Sequence, residues 1–210
     1  MASILIKNVL HEGRKTNILI ERNRFSSLSA AGETTADKVI DATGMAILPP
    51  FYNTHGHAAM SLLRGYADDL ELMDWLQNHI WPAEAKLTDE QIYHLSRYAA
   101  LEMIQSGTTL FNDMYFYEKS TVNAVQEMGI RAVVPHLFMD FFDEHKTNEH
   151  LQIAEQFLQQ DCGDDKIIKS VACHAIYTTS PHAFEIAYEL AHKYNTFLHL
   201  HISETQQEVD

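Results

Sequence analysis

The chain is poor in cysteine and has no long apolar run. Only two of its 210 residues are cysteines, Cys162 and Cys173, and their spacing does not form a CxxC motif. Two cysteines are too few for a disulfide framework, so the sequence predicts a reducing, cytoplasmic setting. No apolar stretch approaches the roughly 18 residues of a membrane helix. The interrupted N-terminal segment MASILIKNVL is not typical of a signal peptide.

Basic side chains are scarce as well. Lys and Arg total 15 against 29 Asp and Glu, which gives a formal net charge of −14. This charge argues against a nucleic acid or an anionic membrane as partner. Apolar residues make up 46% of the chain and charged residues 21%, which predicts a folded domain rather than a disordered one. Histidine is unusually frequent, with 13 copies, and the position of each histidine in the fold indicates whether it has a functional role.

Two regions of different periodicity follow one another along the chain. Residues 1–46 contain short β-branched segments separated by turns and by the polar run Ser26–Asp37, and they predict a small N-terminal β domain. Residues 47–210 alternate strand-like runs with helical ones, which predicts a parallel sheet in an α/β fold, either doubly wound or a (β/α)8 barrel. No GxGxxG or GxxxxGKS/T motif follows a predicted strand, which weakens the doubly wound, nucleotide-binding alternative.

The predicted strands of the second region are short and apolar. They are Ile47–Asn53, Thr108–Met114, Arg131–Phe138, Lys169–Ile176 and Thr196–Ser203. Helices are predicted at 88–107, where Thr88 opens a capping box, at 120–128, at 147–160, and from Ser180-Pro181 onward. Five strands are fewer than the eight of a closed barrel.

Histidines stand at or near the carboxyl ends of four of these strands. His55 and His57 end the first, His136 lies late in the third, His174 ends the fourth and His201 ends the fifth. Side chains at the carboxyl ends of barrel strands build the active site, so these imidazoles are expected at one rim. Residues i and i+2 of a strand point to one face, so His55 and His57 can reach one ion at about 2.0–2.1 Å. The alternative is a turn with two satisfied histidines.

A second constellation, HLHISE, covers residues 199–204. His201 lies nearer the rim than His199 and is therefore the better third metal ligand, while His199 is assigned a structural place inside the barrel. Glu204 follows just past the strand, where a carboxylate can move protons between a metal-bound water and a leaving group. The alternative for Glu204 is a solvated loop acid. For His174 the alternatives are a substrate contact, support of a metal ligand and a satisfied core histidine.

Further residues receive less specific assignments. Trp75 and Glu84 lie in the long segment after the first strand, where barrel enzymes build specificity loops, although spacing alone favours a core position for Trp75. Asp113 ends the second strand and is expected to cap a helix or join a network, and Cys173 is expected in the core. The remaining seven histidines are expected on the surface: His11, His79, His94, His145, His150, His182 and His192.

Residues 49–65, PPFYNTHGHAAMSLLRG, resemble the first-strand motif of the amidohydrolase superfamily. Within it, the chain is similar to the 5-methylthioadenosine/S-adenosylhomocysteine deaminases and the related triazine hydrolases. The similarity covers essentially the whole chain. The other segments that carry it are Asp69-Leu70, Trp75-Leu76, Trp81-Pro82, Glu84, Gly107-Thr108-Thr109, Asp113-Met114-Tyr115-Phe116 and His199 to Thr205.

The resemblance implies a small N-terminal β domain, residues 1–46, and a metal-dependent (β/α)8 barrel, whose N-terminal part is residues 47–210. His55, His57 and His201 match the family's ligands for one divalent metal, usually zinc and in some members iron. Glu204 matches the acid/base glutamate. Because His174 and not a lysine ends the fourth strand, a bridging carbamylated lysine is not expected.

The activity that the resemblance implies is hydrolytic deamination of a small molecule, an aminated purine nucleoside or a related heterocycle. Metal-activated water attacks the amino-bearing ring carbon, Glu204 protonates a ring nitrogen, and ammonia leaves. Trp75, Glu84 and His174 match positions that hold the nucleoside, as an aromatic wall, a carboxylate for ribose hydroxyls and an imidazole near the purine. Relatives of this kind suggest a homo-oligomer.

Two departures from the family pattern bear on this expectation. The sixth-strand histidine and the eighth-strand aspartate of the family would lie beyond Asp210, so this chain alone is expected to have three metal ligands and little activity. Some members carry arginines after the third strand to grip a substrate carboxylate. This chain has His136 there, a candidate substrate contact, which makes S-adenosylhomocysteine less expected than a neutral thioether nucleoside. The alternatives are an amidase or triazine-type chlorohydrolase, and a non-catalytic metal-binding or assembly fragment.

Overall fold

The computed structural model describes residues 2–29 and 35–209 of the chain. It forms two compact units, Met1–Pro50 and Phe51–Asp210. The domain boundary predicted after residue 46 stays a prediction. Among the described residues, no helix combines the length and the apolar character that crossing a membrane requires.

The described residues of the first unit form a four-stranded sheet. Its strands are β1 (Ile4–His11), β2 (Arg14–Glu21), β3 (Arg24–Ser29) and β4 (Lys38–Asp41), in the order β3-β2-β1-β4. β1 and β2 form an antiparallel hairpin whose turn, Glu12-Gly13, has φ values of 48° and 77°. Tight two-residue hairpin turns need this left-handed backbone because it matches the twist of the strands. Val9, Ile18 and Ala42 form the small buried core of the unit.

Strand β3 lies where the sequence predicts a polar separator, so that part of the prediction is wrong. All six residues of β3 are exposed, and antiparallel pairing with β2 holds the strand at the sheet edge. Hydrophobic periodicity does not reveal a strand that buries neither face, since only its backbone hydrogen bonds define it. Residues 30–34 of the predicted separator lie outside the described residues.

The second unit is built on a parallel sheet of five strands in sequential order. The strands are β5 (Phe51–Gly56), β6 (Thr108–Asp113), β7 (Arg131–Phe138), β8 (Ile167–Cys173) and β9 (Leu198–Leu200). The helices are α1 (Leu72–Trp75), α2 (Trp81–Glu84), α3 (Asp89–Gln105), α4 (Glu118–Met128), α5 (Glu144–Gln159), α6 (Pro181–Lys193) and α7 (Gln206–Val209). A 3₁₀ segment, Ala58–Leu63, follows β5, and a π-helical turn, Leu76–Ile80, joins α1 to α2. The sheet curls as five strands of a (β/α)8 barrel, which confirms the predicted fold class.

Local capping signals explain where the long helices begin. The Thr88 side chain accepts from the backbone of Gln91 while the Gln91 side chain accepts from the backbone of Thr88, which is the capping box that the sequence predicts for α3. Asp143 caps α5 through the backbone N–H of His145. Ser180 caps α6 ahead of Pro181, as predicted.

The core of the second unit lies between the sheet and its helices. β7 is buried at every residue after Arg131, which is typical of a parallel strand covered on both faces. One buried cluster joins Phe111 and Val134 to helix α4 through Val125. Another joins Phe138 and Cys173 to helices α5 and α6, so the expectation that Cys173 is a core residue is confirmed.

Three predicted strand boundaries differ from the structure at positions that matter for the site. The first barrel strand begins at Phe51, whose N–H donates to the carbonyl of Gly107, because Pro49 and Pro50 have no N–H to join a ladder. β8 and β9 end at Cys173 and Leu200, earlier than predicted. The residues that follow them stay at the carboxyl edge, since the N–H of His201 donates to the carbonyl of His174 over 3.1 Å.

Candidate metal centre and active site

Three imidazoles from the two outermost strands of the sheet meet at its carboxyl edge. His55 lies in β5, His57 directly follows β5, and His201 directly follows β9. The ring centroid of His55 lies 4.9 Å from that of His57 and 4.8 Å from that of His201. One ligand nitrogen from each ring lies within 4.8 Å of the other two. The structure therefore brings together the three side chains that the sequence predicts as metal ligands.

The second nitrogen of each ring is held by a neighbouring group. His57 Nδ1 lies 2.6 Å from the carbonyl oxygen of Met114, and His201 Nδ1 lies 2.9 Å from that of His174. His55 Nδ1 lies 2.9 Å from Nε2 of His199. These contacts orient the rings and leave Nε2 of each as the ligand atom, as the supporting partners of metal-binding histidines do.

The donor set fits one divalent cation. Nε2 of His55 and Nε2 of His201 lie 3.2 Å apart. A tetrahedral ion at about 2.0–2.1 Å from each imidazole nitrogen separates its ligands by about 3.3 Å, which is close to this distance. Nitrogen ligands of this kind suit zinc and iron better than magnesium or calcium, which prefer oxygen.

The pKa values of His55, His57 and His199 are lowered, which favours the neutral form of the ring that metal binding requires. Burial lowers the pKa of His57 to about 4, with a smaller contribution from the neighbouring His201 and against the hydrogen bond to Met114. Burial also lowers the pKa of His55. The pKa of His199 is lowered to about 4, first by burial and then by His55 and His201. Fewer protons must therefore leave these rings when a cation binds.

Asp113, the last residue of β6, fixes the backbone that follows His57. Its Oδ1 accepts the N–H of Ala58 over 2.8 Å, and the side chain is 1% exposed. Burial raises the pKa of Asp113 to about 6, although hydrogen bonds from Ala58 and Met114 oppose this rise. Asp113 therefore has the network role that the sequence predicts. Its hydrogen bond to Ala58 fixes the backbone next to His57, whose ring contacts the carbonyl of Met114.

Glu204 lies in the turn after β9, where its side chain is exposed. The hydroxyl of Tyr177 donates to Oε2 of Glu204 over 2.7 Å. Burial raises the pKa of Tyr177, and the carboxylate of Glu204 raises it further, so the phenol remains a donor. Glu204 and Tyr177 line one cavity of about 120 Å³ together with His57, His174 and His201. The carboxylate thus stands beside the three-imidazole centre.

The same cavity contains three residues predicted to contact the substrate. Trp75, Glu84 and His174 line it, together with apolar side chains from the segment between β5 and α3. His174 Nδ1 lies 2.8 Å from Oγ1 of Thr178, and burial lowers the pKa of His174 to about 4. Burial also raises the pKa of Glu84, against a hydrogen bond from Tyr115. Trp75, for which spacing favours a core position, forms part of the cavity wall.

Comparison with known proteins places this arrangement in a family. The family model described as "Amidohydrolase family" matches residues 46–210. The chain belongs to the amidohydrolase family. This amidohydrolase is 43% identical to a 5'-deoxyadenosine deaminase of Methanosphaera stadtmanae, over 99% of the chain and 50% of that protein. It is 39% identical to a 5-methylthioadenosine/S-adenosylhomocysteine deaminase of Archaeoglobus fulgidus, over 99% of the chain and 48% of that protein.

A solved structure shows the same fold. The crystal structure of an adenosine deaminase from Xanthomonas campestris with bound zinc matches this amidohydrolase with a TM-score of 0.84 and 28% identity. The match covers 99% of this chain and 50% of the other. The chain therefore spans about half the length of the curated relatives and of the structure that it matches.

The remaining predicted site residue of this amidohydrolase, His136, lies in a neighbouring cavity of about 450 Å³. The two cavities have Trp81, Glu84, Phe116 and Leu137 in common, so they adjoin. His136 is 5% exposed, and its ring contacts Glu118 and His150.

The expectation that His150 lies on the surface is wrong. It lines the neighbouring cavity and hydrogen-bonds to His136. The helical spacing of α5 indicates this position, because the buried residues Thr147, Ala154 and Phe157 lie on the same helix face as His150. Tyr177 also went unpredicted, and its position, three residues after His174 in the loop that follows β8, is the only signal for it in the sequence.

Proposed function

We propose that this amidohydrolase carries the metal-binding active-site residues of a hydrolytic deaminase that acts on an aminated purine nucleoside or a related heterocycle. The observation that carries the proposal is the convergence of three imidazole nitrogens, two of whose rings line a cavity together with the Glu204 carboxylate and with aromatic and acidic side chains. Relatives named as deaminases of 5'-deoxyadenosine and of 5-methylthioadenosine/S-adenosylhomocysteine support it, as does a zinc-bound adenosine deaminase of the same fold.

His55, His57 and His201 are the proposed ligands of a single divalent cation. Zinc is the proposed metal, because imidazole nitrogens suit it and because the related adenosine deaminase structure has bound zinc, and iron is the alternative. The chemistry that a bound cation supplies there is Lewis acidity, which lowers the pKa of water toward about 7.

Glu204 is the proposed proton carrier. Hydrolytic deamination adds water to the amino-bearing ring carbon and releases ammonia, so protons must move from water to a ring nitrogen and to the leaving group. Tyr177 occupies Oε2 of Glu204, which leaves Oε1 as the oxygen that takes and returns the proton. Because these groups act on charge that develops during the reaction, they lower the barrier rather than only bind the substrate.

Trp75, Glu84, His174 and His136 are proposed to hold the substrate. Trp75 lines the cavity and is proposed as its aromatic wall, and Glu84, which also lines it, is proposed to accept hydrogen bonds from ribose hydroxyls. Thr178 occupies Nδ1 of His174, so Nε2 is its atom for a purine contact. His136 is proposed to meet the part of the substrate that reaches the neighbouring cavity. A small-molecule substrate, a cytoplasmic setting and a homo-oligomer belong to the same proposal.

An ammonia-release assay tests the function. The zinc-loaded full-length protein is incubated with adenosine, 5'-deoxyadenosine and 5-methylthioadenosine, and separately with a chlorotriazine and with simple amides. We expect ammonia and the hydroxylated purine in equal amounts from at least one nucleoside, and a loss of both after chelation. Chloride release from the triazine without nucleoside turnover would favour the chlorohydrolase alternative and overturn the proposal.

A further inference from the structure

The helical segment that contributes Trp75 and Glu84 to the cavity beside the metal centre changes its winding midway. α1 continues into the π-helical turn Leu76–Ile80, which continues into α2. The N–H of Trp81 donates to the carbonyl of Leu76, five residues earlier, whereas an α-helix would use the carbonyl four residues earlier. The turn therefore contains one residue more than an α-helical turn.

The spacing of the residues that face the cavity reflects this extra residue. In an unbroken α-helix, the residues on the same face as Leu72 would be Trp75, Leu76, His79, Ile80 and Ala83. The residues of the segment that line the cavity are instead Leu72, Trp75, Leu76, Ile80, Trp81 and Glu84. The second half of the face is thus displaced by one residue toward the carboxyl end of the segment.

This displacement brings Glu84 to the cavity. An α-helix turns by about 100° per residue, so an unbroken helix would place Glu84 about 120° around the axis from Leu72. One extra residue in the turn reduces this angle to about 20°. Glu84 and Trp75 therefore line one cavity because the turn between them is wide.

Pro82 explains why the helix widens at this point. In an α-helix its ring would clash with the carbonyl of Asn78, four residues before it, and it has no N–H to donate to that carbonyl. The π-helical turn ends at Ile80, directly before the Trp81-Pro82 pair. Kinks and widened turns are the way in which helices accommodate such an interruption.

Buried side chains hold the segment in this rotational register. Ile80 is 1% exposed and Leu76 is 6% exposed. The indole N–H of Trp75 donates to the carbonyl of Tyr66 over 3.4 Å. A return to the α-helical register would move His79 into the place of Ile80, where its imidazole would lose its hydration.

We propose that the π-helical turn Leu76–Ile80 is a positioning element, which sets the register at which Trp75 and Glu84 face the same substrate. The inference rests on the proposed function, because these two side chains are the ones proposed to hold the nucleoside. In the α-helical register Ala83 would replace Glu84 at the cavity, and the hydrogen bonds to the ribose hydroxyls would be lost. The proposed zinc ligands lie outside this segment, so zinc content should not depend on the register.

Moving the carboxylate by one residue tests the register. Ala83→Glu combined with Glu84→Ala keeps the length and the composition of the segment. The zinc-loaded full-length protein is assayed with adenosine and with 2',3'-dideoxyadenosine, which lacks the ribose hydroxyls. We expect the parent to prefer adenosine by roughly 10- to 100-fold in kcat/KM, because each hydroxyl can donate to a charged group. The double variant should lose this preference, as Glu84→Ala does, and keep its zinc.

The double variant can also overturn the inference. A preference for adenosine as large as that of the parent would show that residue 83 faces the ribose and that the segment is α-helical when substrate is bound. A general loss of folding would instead lower the zinc content and the turnover of both nucleosides together, so it is distinguishable from a change of register.

Deleting one residue of the turn is the matched control. Gln77 is exposed in the middle of the turn, and its deletion leaves an α-helical spacing that still places Trp75, Ile80 and Glu84 on one face. We expect the deletion variant to retain both zinc and the preference of the parent for adenosine. A deletion variant that keeps its zinc but loses the preference would overturn the inference.

Thiol protection separates failure of the inference from failure of the proposed function. Ala83→Cys and Glu84→Cys are alkylated with and without inosine, the deaminated product of adenosine, and the labelled positions are read by mass spectrometry. We expect inosine to slow alkylation at position 84 and not at position 83, and the opposite pattern would overturn the inference while the proposed function stands. Absence of ammonia release from every nucleoside would overturn the proposed function and the inference with it.

Discussion

His55 and His199 face each other with Nδ1 of the first 2.9 Å from Nε2 of the second. His55 lies in β5 and His199 in β9, which are the two edge strands of the five-stranded sheet. Side chains from opposite edges of a flat sheet would be far apart, since neighbouring strands lie about 4.8 Å from one another. The contact is therefore a direct consequence of the curl of the sheet, and it turns Nε2 of His55 toward His201.

This contact makes His199 a positioning residue for the metal centre. In His199→Ala, His55 loses the partner that orients its ring, and the affinity for zinc should fall by about 10- to 100-fold. Competition with a chromophoric chelator measures the affinity. His192→Ala, which changes an exposed histidine of α6, is the matched control and should bind zinc as the parent does. Unchanged zinc affinity in His199→Ala would show that the contact does not position the ligand.

Substitution of a metal ligand and substitution of the proton carrier should have different effects on metal content. His201→Ala removes a proposed ligand, so metal content and deaminase activity should be lost together. Glu204→Gln keeps the shape of the side chain but cannot take a proton, so zinc should remain bound while kcat falls by at least about 100-fold. Metal analysis and turnover are measured on the same preparations. A near-normal rate in Glu204→Gln would rule out the acid/base role.

Tyr177 is expected to act through Glu204. Tyr177→Phe removes the hydroxyl that donates to Oε2 of Glu204 but keeps the ring. The loss of one hydrogen bond to a charged group predicts a fall in kcat of about tenfold, with KM and zinc content nearly unchanged. Steady-state kinetics measures both parameters. Tyr188→Phe, at an exposed tyrosine of α6, is the control. An increase in KM with constant kcat would instead assign Tyr177 to substrate binding.

The buried carboxyl group of Asp113 should make the folding stability of the protein depend on pH. The carboxyl ionises above about 3.8 in the unfolded chain and above about 6 in the folded one, because burial raises its pKa. The folded state therefore loses stability as pH rises from about 4 to about 6, by about 3 kcal/mol for this group. Asp113→Asn keeps an acceptor for the N–H of Ala58 and has no charge to bury. Its stability relative to the parent should rise over the same pH window.

Urea unfolding of chelator-treated protein at pH 4.5 and pH 7.5 measures this difference. Asp113→Ala is the control, since it removes the charge and also leaves the N–H of Ala58 without its partner. It should lose about 1–3 kcal/mol relative to Asp113→Asn at both pH values. Equal stability of Asp113→Asn and the parent at both pH values would contradict the burial of an ionisable Asp113.

Much of the fold was accessible from local patterns. The capping box at Thr88 and the apolar run of β7 are short-range signals, and both predicted elements are present. The edge strand β3 was not accessible, because its stability comes from pairing with β2 and none of its residues is buried. Residue type alone does not reveal the position of His150, whereas the helical face that it shares with Ala154 does.

The sequence by itself determined which side chains stand at the carboxyl ends of the strands. His55, His57, His201 and Glu204 follow from that rule, because all strands of a parallel sheet end at one edge. Only the tertiary structure decided which of them meet, since the curl of the sheet sets the distance between β5 and β9. It also decided the partners that no local pattern contains, Tyr177 on Glu204 and His150 on His136, because contacts between separate loops and helices depend on how the whole chain packs.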